Sequence, residues 1–397
     1  MRALYLVPAL TFAVLTGWAA EKEPAAAFKG DVGLILPPVI HAVPGVEMNV
    51  YFDNVSLTVN PANYVFDVTC NRGAQQVERW TYTPTGKDVG QFGFTLELRD
   101  QSNAVIARAK SMIRVTPHDA GDGRPRSILI IGDSLTAASV YPQRVLDLSR
   151  EDEHVALKLI GTRGPKGAPN GNLHEGYGGW TAERFATKYT GIARGGPYKE
   201  CGSPFIYKDG DAAPKLDFAR YCREFNDGAP PDFVTILLGC NDTFSATGET
   251  IEERIDRMFR HYETLLKMIR ETGPDTQIGC LLLVPPAATQ DAFGANYRSG
   301  QTRWQYKRNQ HRVVERMLET FGGREAENIF LVPANVNLDC ANNYPKRTAP
   351  ANARSEVELT RLNNGVHPAA AGYRQIGDSV YCWIKSRLAA KSKPGSE

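Results

Sequence analysis

The stretch Ser127-Ile-Leu-Ile-Ile-Gly-Asp-Ser134-Leu135 decides the fold. Residues 128–131 are a continuous apolar run closed by Gly132 and Asp133, as in a parallel strand buried on both faces. A helical pattern resumes near Tyr141, so Gly132–Leu135 lie on the turn between strand and helix. In an open α/β sheet, ligands bind in the crevice at the carboxyl ends of the strands. Gly132 lets backbone approach closely, and Ser134 stands at the mouth beside N–H groups that no sheet uses. The plainer reading of Ser134 is a helix N-cap. What lies downstream decides between the two.

Further apolar strands fall at residues 155–160, 233–238, 278–284 and 329–332, with helices between them. Ile251, Ile255, Met258, Tyr262, Leu265 and Ile269 repeat at the helical period, and helices also fit near 301–321 and 369–388. Interleaved strands and helices predict a three-layer α/β/α sandwich over residues 127–390. Its five-stranded parallel sheet takes the doubly wound order 2-1-3-4-5. Residues 28–117 differ. Short alternating runs such as Phe92-Gly-Phe94-Thr-Leu96-Glu-Leu98, separated by turn clusters, predict a small all-β, immunoglobulin-like domain. Trp80 and Tyr82 read there as core or edge aromatics. Residues 118–126, rich in Gly, Asp and Pro, read as a linker.

The chain has 397 residues, with 46 basic against 44 acidic side chains. A balance so close to neutral, with no long run of one sign, argues against nucleic acid or an anionic membrane as partner. Met1-Arg2, an apolar run over residues 3–14, and Ala19-Ala20 before a polar stretch read as a secretory signal peptide spanning residues 1–20. The expected location is secreted or periplasmic. Export permits disulfides. Of the seven cysteines, Cys201 and Cys222 are the expected pair and Cys340–Cys382 a second, while Cys280 sits in an apolar strand as a core residue. No His/Cys cluster has metal-site spacing, so neither metal nor cofactor is expected.

Three more segments carry chemistry. Strand 233–238 runs into Gly239-Cys240-Asn241-Asp242, strand 155–160 precedes Gly178-Gly179-Trp180-Thr181, and the last helix is introduced by Asn364-Gly365-Val366-His367-Pro368. All would converge with Ser134 at one edge of the sheet, supplying a nucleophile, a base and hydrogen-bond donors. The four blocks, in this order, resemble the SGNH branch of the GDSL hydrolases. The resemblance covers the whole α/β domain and implies the same sandwich fold. It implies Ser134 as nucleophile and His367 as general base. The Ser134 N–H, the Gly179 N–H (with Gly178 as competing register) and the Asn241 side chain would form the oxyanion hole. Asn241-Asp242-Thr243 also scans as a glycosylation sequon, which a buried catalytic position would exclude.

The family has Asp three residues before its histidine, where this chain has Asn364. An amide can orient imidazole but cannot stabilise imidazolium. Asn364 accepting the ring proton, a substitute acid such as Asp339 or Glu358, or a weak site are the alternatives. Likeness to secreted bacterial members of the family implies ester deacetylation of carbohydrate, with an acetylated polysaccharide as substrate. Trp180, Tyr177 and Phe205 are candidates to pack on a sugar ring, with the insertion at residues 188–226 walling the pocket. An acyltransferase using the same site and a glycan-binding protein are the rival readings.

Overall fold

The computed structural model describes residues 32–191 and 197–391, so the expected leader lies outside the described residues. Among the described residues, no helix is long and apolar enough to cross a membrane. Five parallel strands build the central sheet: β1 (Pro125–Gly132), β2 (Ala156–Ile160), β3 (Phe233–Leu237), β4 (Gln277–Leu281) and β5 (Ile329–Val332). Their order is 2-1-3-4-5, as the sequence predicts, and the two-residue strand Glu175–Gly176 adds a sixth segment beside the end of β1. Ile128, Leu129, Ile130 and Ile131 are fully buried, which explains why the run is apolar without alternation.

Helices form the outer layers. Helix α1 (Val140–Glu151) packs along α4 (Ala370–Lys391), and α2 (Ile251–Thr272) contacts α3 (Arg303–Phe321). The predicted apolar stripe of α2 is buried throughout, from Ile251 to Ile269. The helix stops at Gly273, whose N–H donates to the Ile269 carbonyl at 2.8 Å. In the order 2-1-3, neighbouring strands β1 and β3 send their connections in opposite directions, which opens a crevice at their carboxyl ends. Ser134 and Asn241 both leave the sheet there.

Besides the strand pair Gly33–Leu34 and Ser56–Leu57, the described N-terminal residues form two small sheets that share one core. Strands Val39–Ala42, Val105–Val115, Gly90–Arg99 and Val65–Thr69 make one sheet; Met48–Tyr51, Arg79–Tyr82 and Ala74–Gln75 make the other. Ile40, Val50, Trp80, Phe94 and Ile113 fill the space between them, so Trp80 is a core residue. One pair, Val39–Ala42 with Val105–Val115, is parallel, unlike the alternating antiparallel pattern of the rest. This layer is not held at arm's length. Val336, from beyond β5, sits in its core, and residues 31–397 form one compact unit. The expected linker is itself packed: a Cβ on Gly121 would lie 2.1 Å from the His154 carbonyl oxygen.

The expected disulfides are absent, and all seven cysteines are free thiols. Cys201 instead accepts a hydrogen bond from the Arg163 guanidinium at 3.3 Å. The Cys340 thiol donates to Asn54 Oδ1 at 3.3 Å. The Cys201 and Cys340 sulfurs have partners of their own, and neither expected pair is bonded. Cys280 is buried in β4, as expected.

Two buried histidines make stability depend on pH. Burial holds His41 down to about 3, with Arg114 and Arg387 adding to the shift. Burial beside Arg163 holds His174 down to about 4. The ring of His174 is pinned: Nδ1 accepts the Gly176 N–H at 3.0 Å and Nε2 meets Ser139 Oγ at 2.8 Å. Both groups have folded-state values below the unfolded 6.5. Their stabilisation is therefore complete above pH 6.5 and is lost as pH falls toward 4. By pH 4 each costs on the order of 3 kcal/mol. Urea unfolding of a His174→Gln variant between pH 4 and 7 should show a visibly shallower loss than wild type. An unchanged slope would mean that His174 protonates without cost to the fold.

Candidate active site

Ser134 opens a one-turn helix, Ser134–Ala137, directly after β1. The turn is this tight because Gly132 has no side chain. A Cβ there would meet Thr136 Oγ1 at 2.0 Å and the Leu237 carbonyl at 3.0 Å. Asp133 caps the helix, its Oδ1 accepting the Leu135 N–H at 2.9 Å. As the first helical residue, Ser134 has no intrahelical acceptor for its N–H. Its hydroxyl lies 2.8 Å from His367 Nε2. The two residues are 233 positions apart, and the geometry is that of a nucleophile and its base.

His367 stands near the end of the loop into α4. Burial alone lowers it from its ordinary value, so the ring is neutral and able to accept a proton. No carboxylate reaches its Nδ1 among the described residues. Asn364 is in the expected position but does different work. Its Oδ1 accepts the backbone N–H groups of Val366 at 3.1 Å and His367 at 2.9 Å, so it shapes the turn rather than gripping the ring. The substitute acids are elsewhere. Asp339 caps its own turn by accepting from Ala341 and Asn342, and Glu358 is exposed on the hairpin strand Glu358–Leu362. What the structure holds is a Ser–His dyad.

Asn241 braces the opposite wall. Its Nδ2 donates to Asp133 Oδ2 at 3.0 Å and to the Trp180 carbonyl at 3.1 Å, tying β3's exit to both the nucleophile turn and the glycine block. Both amide hydrogens have acceptors, and the sequon asparagine is thereby part of the fold. The glycine block reaches the same place because Tyr177 N–H donates to the Gly132 carbonyl at 2.9 Å. Within it, Gly179 adopts φ +72°, a left-handed conformation that side chains disfavour. The N–H groups of Ser134 and Gly179 donate to no protein acceptor among the described residues.

Beneath the dyad lies a network that sequence reasoning missed. Asp133 is buried and its carboxyl is pushed up to about 6, although Cys240 Sγ, the Leu135 N–H and Asn241 all donate to it. Asp242, pushed up to about 7 by burial, accepts the Ala182 N–H at 3.2 Å. Glu175, raised by burial, takes hydrogen bonds from Tyr221, Tyr177 and Thr162. The signal was present in Asp133 and Asp242, the carboxylates flanking the reactive letters of two motifs.

The aromatic assignment needs correction. Tyr177, Trp180 and Phe205 are each 0 % exposed and cannot meet a substrate. They stack on one another and on Phe185, forming the core beneath the insertion. A different pair is available. Phe244 and Tyr297 are partly exposed, 5.0 Å apart between ring centroids, and cluster with Cys240 and Val366, the neighbours of Asn241 and His367.

The family is shown by comparison with known proteins. No curated protein sequence matches the chain. An acetyl esterase mutant crystallised with acetate ion is similar at 14% identity, over 67% of this chain and 100% of that one, with a TM-score of 0.40. A carbohydrate esterase family 3 structure from Talaromyces cellulolyticus is similar at 14% identity, over 67% and 99% of the two chains, with a TM-score of 0.40. An acetyl xylan esterase is similar at 12% identity, over 65% and 99%, with a TM-score of 0.33. The profile of GDSL-like lipase/acylhydrolase matches residues 128–380, from the heart of β1 to the middle of α4. That span takes in the strand that delivers Ser134, the crevice, and the loop that returns His367 to it, and on this match the chain belongs to the GDSL-like lipase/acylhydrolase family.

Proposed function

We propose that the protein is an exported serine esterase that removes small acyl groups, acetyl above all, from carbohydrate. The observation that carries the esterase reading is the 2.8 Å contact between Ser134 Oγ and His367 Nε2 at the sheet's switch point. His367 takes the hydroxyl proton as Ser134 attacks the ester carbonyl, and returns it to the leaving alkoxide. The oxyanion that forms meets the free N–H groups of Ser134 and Gly179. Asn241 becomes a third donor by turning toward it the hydrogen now given to the Trp180 carbonyl. Water then attacks the acyl-serine with His367 again as base. The leader-like residues 1–20 support export, and Phe244 with Tyr297 offers a sugar ring an aromatic wall beside the dyad.

The test is acetate release from a panel of acetylated polysaccharides, comparing wild type with Ser134→Ala. Release by wild type that vanishes in the variant is the expected result and identifies the substrate. Cleavage of long-chain esters faster than acetyl esters would defeat the small-acyl reading.

A further inference from the structure

We propose that the N-terminal β-layer acts as the buttress of the catalytic histidine, with Asp53 and Asn54 as positioning residues. The inference rests on the esterase reading of Ser134 and His367. Both residues belong to a single helical turn, Phe52–Val55, which projects from the β-layer onto the α/β domain. Two hydrogen-bonded routes lead from this turn to adjacent residues, one to Ala287 and the other to Ala288.

The first route starts at Asp53. Its Oδ2 is 2.6 Å from the Arg303 guanidinium, and its Oδ1 pairs with Lys307, whose side chain is 2 % exposed. Arg303 passes the restraint on, its Nε donating to the Ala287 carbonyl at 3.3 Å. The second route starts at Asn54. Its Nδ2 donates to the carbonyls of Asn335 and Leu338 at 2.9 and 2.8 Å, while its Oδ1 accepts from the Cys340 thiol. The Cys340 carbonyl in turn accepts the Ala288 N–H at 2.9 Å.

From there the path to the ring is short. Ala287 N–H donates to the Gly365 carbonyl at 3.0 Å, two residues before His367. Gly365 has no slack of its own: its N–H donates to Asn296 Oδ1, and a Cβ would meet the Phe293 ring at 2.9 Å. An imidazole whose Nδ1 has no carboxylate to hold it must be aimed by its backbone. Asn364 does this from within the loop, and the Asp53–Asn54 turn does it from outside. A misplacement of about 1 Å at such a site costs up to about a hundredfold in rate, so a support this remote still affects turnover.

Removing Asp53 alone would strand a buried ammonium and threaten the fold. The test variant is therefore Asp53→Ala combined with Lys307→Met, compared with Lys307→Met alone, which keeps the Asp53–Arg303 pair. On a small aryl acetate, the double variant should lose about tenfold or more in kcat with KM unchanged within about twofold. Lys307→Met should retain its kcat. The same two changes are made in a Ser134→Ala background, and the His367 ring nitrogens are followed by NMR. The ring resonances should move in the double variant only. Equal kcat in the two variants, or His367 resonances unmoved by loss of Asp53, would overturn the proposal. Absence of ester cleavage by wild type would instead sink the esterase reading, and the resonances would still decide the coupling.

Discussion

Replacing His367 with alanine is expected to lower kcat for ester hydrolysis by about three to six orders of magnitude. Ser134 is a poor nucleophile at its own pKa and needs a neutral base within hydrogen-bond reach. In the proposed mechanism His367 is that base, at 2.8 Å, and among the described residues no second one bonds the Ser134 hydroxyl. His174 is committed to Ser139 and to the Gly176 N–H. Rates on an aryl acetate would measure the loss, and a fall of less than a hundredfold would mean that another group takes the proton. The same base sets the acid limb. Burial lowers His367 and no carboxylate raises it, so the ring stays neutral below the ordinary histidine value of 6.5. Activity in the wild type should therefore fall away on the acid side only below pH 6.5.

Changing Asn364 to aspartate is expected to raise kcat/KM by at least about tenfold and to move that acid limb upward. Losing the aspartate of a serine protease triad costs about four decades, chiefly through the wrong imidazole tautomer. Here the corresponding residue starts as an amide. Its Oδ1 is already taken by the backbone N–H groups of Val366 and His367, and its other terminal atom is a donor. An aspartate keeps the first contact and offers a second oxygen, which can hold the Nδ1 proton and stabilise the imidazolium that forms in the transition state. Neither Asp339 nor Glu358 bonds the ring, and among the described residues no carboxylate does this work. A pH–rate profile of the variant decides the matter: equal rates and an unmoved limb would show that the dyad gains nothing from a carboxylate.

The dyad also clarifies why the loop around His367 is so heavily tied. A triad aims its imidazole through the acid. Here the aim comes from main-chain bonds at Gly365, Val366 and His367, and the one that the Gly365 carbonyl accepts from Ala287 leads on to the β-layer. The N-terminal residues thus act on the chemistry without touching substrate. Sequence reading treated them as a separate module because their period-two alternation shows which residues pair, not what the finished layer packs against.

Much of the site was legible in the chain itself. The run at residues 128–131 and the strand–helix alternation pointed to the parallel sheet and its crevice, and the four blocks, through their resemblance to a known family, to the pairing of Ser134 with His367. The strand and its turn follow from local rules: apolar continuity means a strand covered on both faces, and glycine before a reactive residue means a tight turn. Burial of aromatics was not legible. Tyr177 and Trp180 adjoin the reactive glycine in sequence, yet the loop turns both rings inward, while Phe244 and Tyr297, from separate segments, come forward. Nor could spacing show where Asn364 aims its oxygen, that the cysteines stay unpaired with one another, or that Asp53 reaches Arg303 across 250 positions. A pattern repeats along the chain and can be read there; which face a side chain takes, and what waits opposite it, exists only once distant segments have packed.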